Sequence, residues 1–459
     1  MKLIRIILLS VIATLSISCA TGGGNFKVPK HREVKLDNGL TVLFFKDTNL
    51  PYFSMNMLVG VGGMHDDEKT LGTASMVAEL LDKGTQKRSA TEIARDYDNI
   101  GASFTASASN EYTLIQTSGL SLHTDILVDS FAEIILQPKF ANSEIVRLRK
   151  QTIGNIKRSL DDPSSLASKS FRQILMPNYP YGMPISGTLK SVAQIKKRDI
   201  MTLYLRHYRP NNATLAVVGN YPDNILEMIK SKFSDWKPRQ DPEFKEPKLE
   251  PFSGRKMYLV NKPGTQQTQI RMGFYGIKRN NPDFVGIRLA TTILGGAFKS
   301  RLMDEIRVKR GLSYGASAQM SAQSFRDAFT VSTFTKHETA GKTVDITLDV
   351  LEDFYKNGIT DEELVMAKGL LKGQFPRLIE TAEKLASNVL ILRHYGVNEE
   401  YLKTYLDKVD SYSKSELNAA IKKYLNPKDI KIVLMTTEGN VISQLKKYNP
   451  EVVSYKQFL

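Results

Sequence analysis

Residues 58–85 carry the most informative pattern in the chain. They read Leu58-Val-Gly-Val-Gly-Gly-Met-His-Asp-Asp-Glu68 and, three residues later, Gly72-Thr-Ala-Ser-Met-Val-Ala-Glu-Leu-Leu-Asp-Lys-Gly-Thr85. The best group of potential metal ligands is His65 with the three acidic residues that follow it. However, no two of the six histidines are four residues apart, the spacing at which one helix face can hold a metal ion. We therefore interpret residues 65–68 as a polar turn that follows a strand.

Further short motifs follow this stretch in a fixed order. They are Gly101-Ala-Ser-Phe-Thr-Ala-Ser107, Asp161-Asp162-Pro163, Tyr208-Arg-Pro-Asn-Asn-Ala-Thr214, Val218-Gly219, Leu294-Gly-Gly-Ala-Phe-Lys-Ser-Arg-Leu302 and Glu305-Ile-Arg-Val-Lys-Arg-Gly-Leu-Ser-Tyr314. With these motifs the sequence resembles the insulinase-like (inverzincin) metallopeptidase family, which includes pitrilysin and the mitochondrial processing peptidase. The resemblance covers residues 31 to 440 and implies a peptide or an unfolded protein as substrate.

The zinc motif of this family is altered in the chain. Active members carry His-x-x-Glu-His on a helix, where the two histidines bind Zn²⁺ and the glutamate is the base for the metal-bound water. By resemblance the first histidine falls on Ser75, the glutamate on Ala78 and the second histidine on Glu79, while a further zinc-binding glutamate falls on or next to Asn155. One carboxylate does not make a zinc site. We therefore expect no catalytic residue in this motif, and no metal or other cofactor in this chain.

Arg307 and Tyr314 match a second set of family residues. In active relatives an arginine and a tyrosine seven positions apart contact the substrate and stabilise the tetrahedral intermediate, because a cation and a phenol donor oppose the developing negative charge. The spacing here is the same, and Gly311-Leu312-Ser313 between them also fits. The alternative is a helix-end arginine and a strand tyrosine that serve packing. We treat the two residues as candidate substrate and transition-state contacts.

The first and second halves of the sequence also resemble each other. Four motifs recur in the same order with offsets of 214 to 219 residues, which indicates a duplicated domain. The pairs are Gly101-Ala102-Ser103 with Gly315-Ala316-Ser317, Asn142-Ser143-Glu144-Ile145 with Thr360-Asp361-Glu362-Glu363, Leu166-Ala167-Ser168 with Leu385-Ala386-Ser387, and Tyr208-Arg209-Pro210-Asn211 with Tyr424-Leu425-Asn426-Pro427. Four prolines between Trp236 and Phe252 exclude a regular helix or a central strand there. We predict a linker at residues 233–253 between homologous halves at 31–232 and 254–459.

Local signals predict both helices and strands in each half. Asp37-Asn38-Gly39 between two apolar runs indicates a hairpin, since Asn-Gly tolerates positive φ. Ser89 with Glu92, and Thr360 with Glu363, are capping boxes that open helices. Strands are predicted at 114–119 and 328–333. The predicted fold class is α+β, built from two α/β halves joined by the proline-rich linker.

The first eighteen residues are typical of a targeting segment. Two basic residues precede an apolar run, Ile6 to Ile17, that is too short to span a bilayer. The run ends beside Cys19, the only cysteine, so residues 1–18 resemble a bacterial lipoprotein signal and Cys19 the site of lipid attachment. An ordinary secretory signal peptide is the alternative. We expect residues 19–30 to tether the protein to a membrane of the bacterial cell envelope, on the periplasmic side or at the outer membrane.

Charge and composition exclude several classes of protein. The 459 residues include 63 Lys and Arg against 48 Asp and Glu, a net charge of +15 that becomes +13 without Lys2 and Arg5. A hydrophobic content of 41% excludes a disordered chain, and one cysteine excludes a disulfide framework. Aromatic residues are not interleaved with the basic ones, so we expect no nucleic-acid partner.

The family residues that this chain retains, and those that it lacks, together favour one function. In some family members the zinc site and the Arg/Tyr set belong to different chains of a heterodimer. The resemblance thus implies a subunit that is inactive alone, pairs with a zinc-bearing relative and supplies Arg307 and Tyr314, the zinc being held by the partner. One alternative is a stand-alone peptide-binding or scaffolding protein of the envelope that uses the strand near Gly101 to Ser107. Another is an active metallopeptidase with a rearranged metal site.

Overall fold

Two six-stranded sheets form the framework of the molecule. The computed structural model describes residues 31–240 and 244–458, so the predicted signal, the tether and Cys19 lie outside the described residues. The first sheet has the order β1-β2-β6-β3-β5-β4. Its strands are β1 (Arg32–Lys35), β2 (Thr41–Lys46), β3 (Tyr52–Val59), β4 (Ser103–Ala108), β5 (Thr113–Leu120) and β6 (Ala213–Gly219). The hairpin predicted at Asp37-Asn38-Gly39 joins β1 to β2, and Gly39 has a φ of +92° there.

The second sheet repeats five strands of the first. Its order is β12-β7-β11-β8-β10-β9. The strands are β7 (Arg255–Asn261), β8 (Thr268–Tyr275), β9 (Ala316–Met320), β10 (Ala328–Thr335), β11 (Ile430–Thr436) and β12 (Glu451–Ser454). Register repeats as well, because Ser103 pairs with Ser118 in the first sheet and Ser317 pairs with Ser332 in the second. The sixth strand differs, since β1 is antiparallel to β2 whereas β12 is parallel to β7. The predicted α+β fold of two homologous halves is confirmed.

Helices fill the connections between the strands. In the first half they are α1 (Thr73–Leu80), α2 (Ala90–Asn99), α3 (Thr124–Leu136), α4 (Asn142–Ser159), α5 (Pro163–Leu175), α6 (Leu189–Gln194), α7 (Lys197–His207) and α8 (Ile225–Phe233). In the second half they are α9 (Phe284–Thr291), α10 (Ala340–Asn357), α11 (Asp361–Ile379), α12 (Ala382–His394), α13 (Glu400–Ser411), α14 (Lys414–Tyr424) and α15 (Ile442–Leu445). Both predicted capping boxes are present, at the starts of α2 and α11. Two π-helical segments, Thr292–Gly296 and Met303–Val308, follow α9.

Each half contributes one helix to the sheet of the other half. Helix α5 packs on β8 and β11, where Leu166 and Phe171 join a core with Val433. Helix α12 packs in return on β6 and β3. Buried Arg271 of β8 fixes α5 by donating to Ser168 Oγ at 3.1 Å and to Ser164 Oγ at 2.8 Å. The repeated motif Leu-Ala-Ser therefore marks a pair of exchanged helices.

The proline-rich segment lies between the two sheets in the chain. Residues 234–240 and 244–254, the described part of it, contain no helix or strand. Phe244 of this segment stacks on Phe325 with ring centres 6.0 Å apart. Within the described residues, no helix is both long and apolar enough to cross a membrane. The boundaries predicted for the linker and the two halves stay predictions.

Candidate functional site

Helix α1 begins at a turn that an acidic side chain holds in place. Asp66 accepts hydrogen bonds from the backbone N–H of Gly72 at 2.7 Å and of Ala74 at 2.8 Å. Burial raises the pKa of the Asp66 carboxyl to about 7 in spite of these two donors. Residues 65–68 therefore form the polar turn that their sequence predicts, and Asp66 orients the first residues of the helix.

The four residues at the zinc-motif positions do not form a ligand set. Ser75 Oγ donates to Glu79 Oε1 at 3.0 Å, one turn further along α1. Ala78 is fully buried and has no group that moves a proton. Asn155 is exposed on α4, where its side-chain oxygen accepts a hydrogen bond from Arg158. A hydroxyl, a methyl, an amide and one carboxylate do not fit Zn²⁺, and no cluster of three His, Cys, Asp or Glu suited to a metal exists in the described chain.

Ser75 lines a cavity of about 470 Å³, which we call the Ser75 cavity. Its wall combines residues from α1, the end of β4, α5 and the segment that follows α5. The lining residues are Ser75, Ala108, Asn110, Ser159, Leu160, Ser165, Leu166, Lys169, Arg172, Tyr181, Gly182, Met183, Pro184, Ile185 and Ser186. All of these residues belong to the first half, but Arg172 and Tyr181 also contact Asp327 and Phe325 of the second half, so the cavity borders the contact between the halves.

Strand β4 leads to this cavity and has one open edge. It lies at the end of the first sheet and, among the described strands, pairs only with β5. Exposed and half-buried residues alternate along it, and its last residue, Ala108, lines the Ser75 cavity. An open edge offers unpaired backbone N–H and C=O groups, to which an extended peptide can add as a further strand.

Neither Arg307 nor Tyr314 is among the residues that line the Ser75 cavity. Arg307 belongs to the second π-helical segment, and its guanidinium carbon lies 5.0 Å from the ring centre of Phe298. Tyr314 is 82% exposed and lies in the loop before β9 rather than in a strand. The side chain of Tyr314 thus has no packing role within the described chain.

Glu111 is a buried group that the sequence does not reveal. In the turn between β4 and β5 it accepts hydrogen bonds from the Tyr181 hydroxyl, from Ser324 (N–H at 2.9 Å, Oγ at 2.5 Å) and from His394 Nε2 at 3.1 Å. Burial alone would raise the pKa of its carboxyl, but these donors outweigh burial and hold the pKa below the ordinary value. No local pattern around residue 111 indicates this role, because the donors come from distant parts of the chain.

Two family models match the chain. Residues 41–189 match the insulinase family, peptidase family M16, and residues 194–371 match the peptidase M16 inactive domain. The chain is 28% identical over 420 residues to an uncharacterized zinc protease of Rickettsia felis, covering 89% of this chain and 92% of that protein. It is 24% identical over 439 residues to the non-peptidase homolog YmxG of Helicobacter pylori, covering 95% of this chain and 99% of that protein.

Solved structures share the same fold. A peptidase M16 inactive domain from Pseudomonas fluorescens superposes with a TM-score of 0.83 at 24% identity, covering 89% of this chain and 98% of that one. A protease from Helicobacter pylori superposes with a TM-score of 0.82 at 21% identity, covering 89% of this chain and 99% of that one. With residues 41–189 and 194–371, together more than half of the chain, matched by models of this family and none of the zinc-motif residues in place, the chain belongs to the insulinase (peptidase M16) family as a member that lacks the zinc motif.

Proposed function

We propose that the protein is the non-catalytic subunit of a two-chain peptidase and pairs with a zinc-bearing insulinase-family subunit. The observation that carries the proposal is the state of Tyr314, which is 82% exposed in a chain whose zinc-motif positions hold no ligand set. A tyrosine kept for packing would be buried. An exposed phenol at the family's position and spacing is instead available to a substrate bound at another chain's zinc.

The surroundings of Arg307 support the same proposal. Phe298 is 68% exposed and Val308 is 64% exposed, and both lie beside Arg307. Exposed apolar side chains grouped around a cation are typical of surfaces that another protein covers, where aromatic residues and arginine are enriched. In the assembled peptidase the partner would hold zinc and the water nucleophile, whereas Arg307 and Tyr314 would bind the substrate carbonyl oxygen as it becomes negative.

Location in the cell envelope is part of this proposal. Lipidation at Cys19 would concentrate the subunit at a membrane surface, together with its partner and exported peptides. No nucleic acid takes part in the proposed function. The name of the Helicobacter pylori relative, a non-peptidase homolog, agrees with a chain that does not hydrolyse peptides by itself.

A stand-alone peptide-binding or scaffolding protein is the second candidate. The free edge of β4 supports it, because strand addition at an edge needs no catalytic group. The two candidates differ in one requirement: the first needs a zinc-bearing partner, and the second needs none. For the third alternative, a rearranged metal site in this chain, the described residues offer no group of three His, Cys, Asp or Glu that could hold the ion.

Affinity purification from native membranes separates the two candidates. We expect mass spectrometry to identify a relative with an intact His-x-x-Glu-His motif in amounts comparable to this chain. Mixing the two purified chains should produce peptidase activity that neither has alone. If no such relative co-purifies and the isolated chain binds extended peptides, the subunit proposal is wrong and the binding protein is favoured.

A further inference from the structure

Lys169 is positioned in the Ser75 cavity by the helix that carries it. Ser165, Lys169 and Arg172 follow one another at helical spacing on α5, and all three line the cavity. The neighbouring face of the same helix is fixed on the second sheet, where Ser164 and Ser168 accept hydrogen bonds from Arg271. Because these hydrogen bonds fix the rotation of α5 about its own axis, Lys169 is held toward the cavity.

The cavity carries one positive charge that is not compensated. Of its two cations, Arg172 donates to Asp327 at 2.7 Å and to the backbone oxygen of Tyr181 at 2.7 Å. Lys169 is half-buried and has no hydrogen bond or ion pair with any residue in the described part of the chain. None of the described lining residues is acidic. Burial lowers the pKa of the Lys169 ammonium, because water is partly removed from around its charge.

Apolar side chains strengthen the effect of this charge. Leu160, Leu166, Met183, Pro184 and Ile185 form much of the remaining wall. Apolar walls reduce the screening of a charge by water, so that an ion pair inside such a cavity is stronger than one on the surface. A carboxylate that enters would form a charge-assisted hydrogen bond with the ammonium, whereas a neutral amide would form a weaker one.

We propose that Lys169 makes the Ser75 cavity selective for peptides that bring a carboxylate to the end of β4. The inference rests on the proposed binding of peptides along β4 and names the substrate class of that site. The carboxylate is either an aspartate or glutamate side chain or the C-terminus of the peptide. Ala108 supports the connection, because it ends β4 and also lines the cavity.

Three peptides test the proposal with the full mature chain, alone and mixed with its partner. The first is an acetylated, amidated heptapeptide of alternating valine and threonine with one central glutamate. The second has glutamine in place of the glutamate, and the third is the glutamine peptide with a free C-terminal carboxylate. By isothermal titration calorimetry we expect a carboxylate peptide to bind about tenfold more tightly than the neutral one, because a charge-assisted bond is stronger than a neutral one. The first and third peptides distinguish the side chain from the C-terminus as the source.

Variants connect the preference to Lys169. Lys169→Met should remove the preference and lower the affinity for the neutral peptide only slightly, because that peptide loses only the weaker bond to the ammonium, and Lys169→Arg should retain the preference. Arg288→Gln is the matched control, because Arg288 is half-buried and lines a separate cavity of about 560 Å³. Equal binding of all three peptides, or a preference that survives Lys169→Met, would overturn the inference without affecting the proposed function. If no peptide binds to the chain or to the complex, peptide binding along β4 is wrong and the inference is overturned with it.

Discussion

Glu111 and His394 are 283 residues apart in the sequence, yet Oε2 of Glu111 lies 3.1 Å from Nε2 of His394. Glu111 belongs to the turn that follows β4, and His394 is the last residue of α12, the helix that the second half packs on the first sheet. Ser324, from the connection between β9 and β10, donates to the same carboxylate. One buried side chain thus joins the end of β4 to two segments of the second half.

Replacing Glu111 should destabilise the whole fold. Glu111→Gln removes the charge to which four groups donate and replaces one of its two acceptor oxygens with an NH₂ donor. Because hydrogen bonds to a charged group contribute about 1.5–3 kcal/mol, we expect the free energy of unfolding to fall by about 3 kcal/mol. Urea unfolding followed by circular dichroism measures the change. Glu227→Gln is the control, since Glu227 lies on the exposed face of α8, pairs with Lys230 and should cost less than about 1 kcal/mol. Equal losses in the two variants would contradict this role.

Stability should depend on pH through the same carboxylate. The fold holds the pKa of Glu111 below its ordinary value of 4.5, so the unfolded chain takes up the proton first as the pH falls. The stability that Glu111 contributes is therefore complete above the unfolded pKa and is lost as the pH falls through the folded one. Thermal melting between pH 7 and pH 3 should show the Tm of the wild type approaching that of Glu111→Gln below about pH 4.5. A constant difference in Tm across this range would refute the prediction.

The isolated protein should hold no zinc after dialysis, and EDTA should leave its Tm unchanged. The physical reason is the donor set at Ser75, Ala78, Glu79 and Asn155, which offers one carboxylate. Elemental analysis that finds about one zinc per chain would contradict it. The converse experiment introduces zinc ligands into the chain. Ser75→His with Glu79→His places two imidazoles four residues apart on α1, and this double variant should bind added Zn²⁺ that the wild type does not.

Arg307→Ala and Tyr314→Phe should lower the kcat of the complex with a zinc-bearing partner. Loss of one group that binds the developing oxyanion costs about 10²–10³ in kcat. Because Tyr314 is 82% exposed, the Tm of the variant should not change. Steady-state kinetics measures kcat, and size-exclusion chromatography checks that the complex still assembles. Lys309→Ala is a matched control, since Lys309 is an exposed cation directly after the segment that carries Arg307 and pairs with Asp304 and Glu305. Wild-type kcat in both variants would exclude the shared active site.

Cys19→Ala should release the protein from the membrane fraction. Cys19 is the only cysteine and follows the apolar run of the predicted signal. A lipid chain contributes about 0.8 kcal/mol per buried CH₂ group, so its loss should move most of the protein into the soluble fraction. Fractionation followed by immunoblotting measures the distribution. A variant that stays in the membrane fraction as firmly as the wild type would place the anchor elsewhere.

The sequence by itself determined the structural features that depend on residues close together in the chain. Asp37-Asn38-Gly39 specifies its hairpin because Gly39 adopts positive φ, and Ser89 with Glu92 specifies a helix start because each side chain bonds the other's backbone. The duplication was predicted from motifs that recur at a nearly constant offset, and the altered zinc motif from the resemblance to the insulinase-like family. Each of these signals acts within a few residues or repeats at a fixed offset.

Only the tertiary structure decided how the halves meet. No local pattern shows that α5 packs on the second sheet while α12 packs on the first, because the apolar face of a helix fits either sheet. The exchange brings His394 to Glu111 and holds Lys169 in the Ser75 cavity. The chemical properties of the buried Glu111 carboxylate and of the half-buried Lys169 ammonium depend on the groups that surround them. Those groups lie up to 283 residues away, so packing alone brings them together.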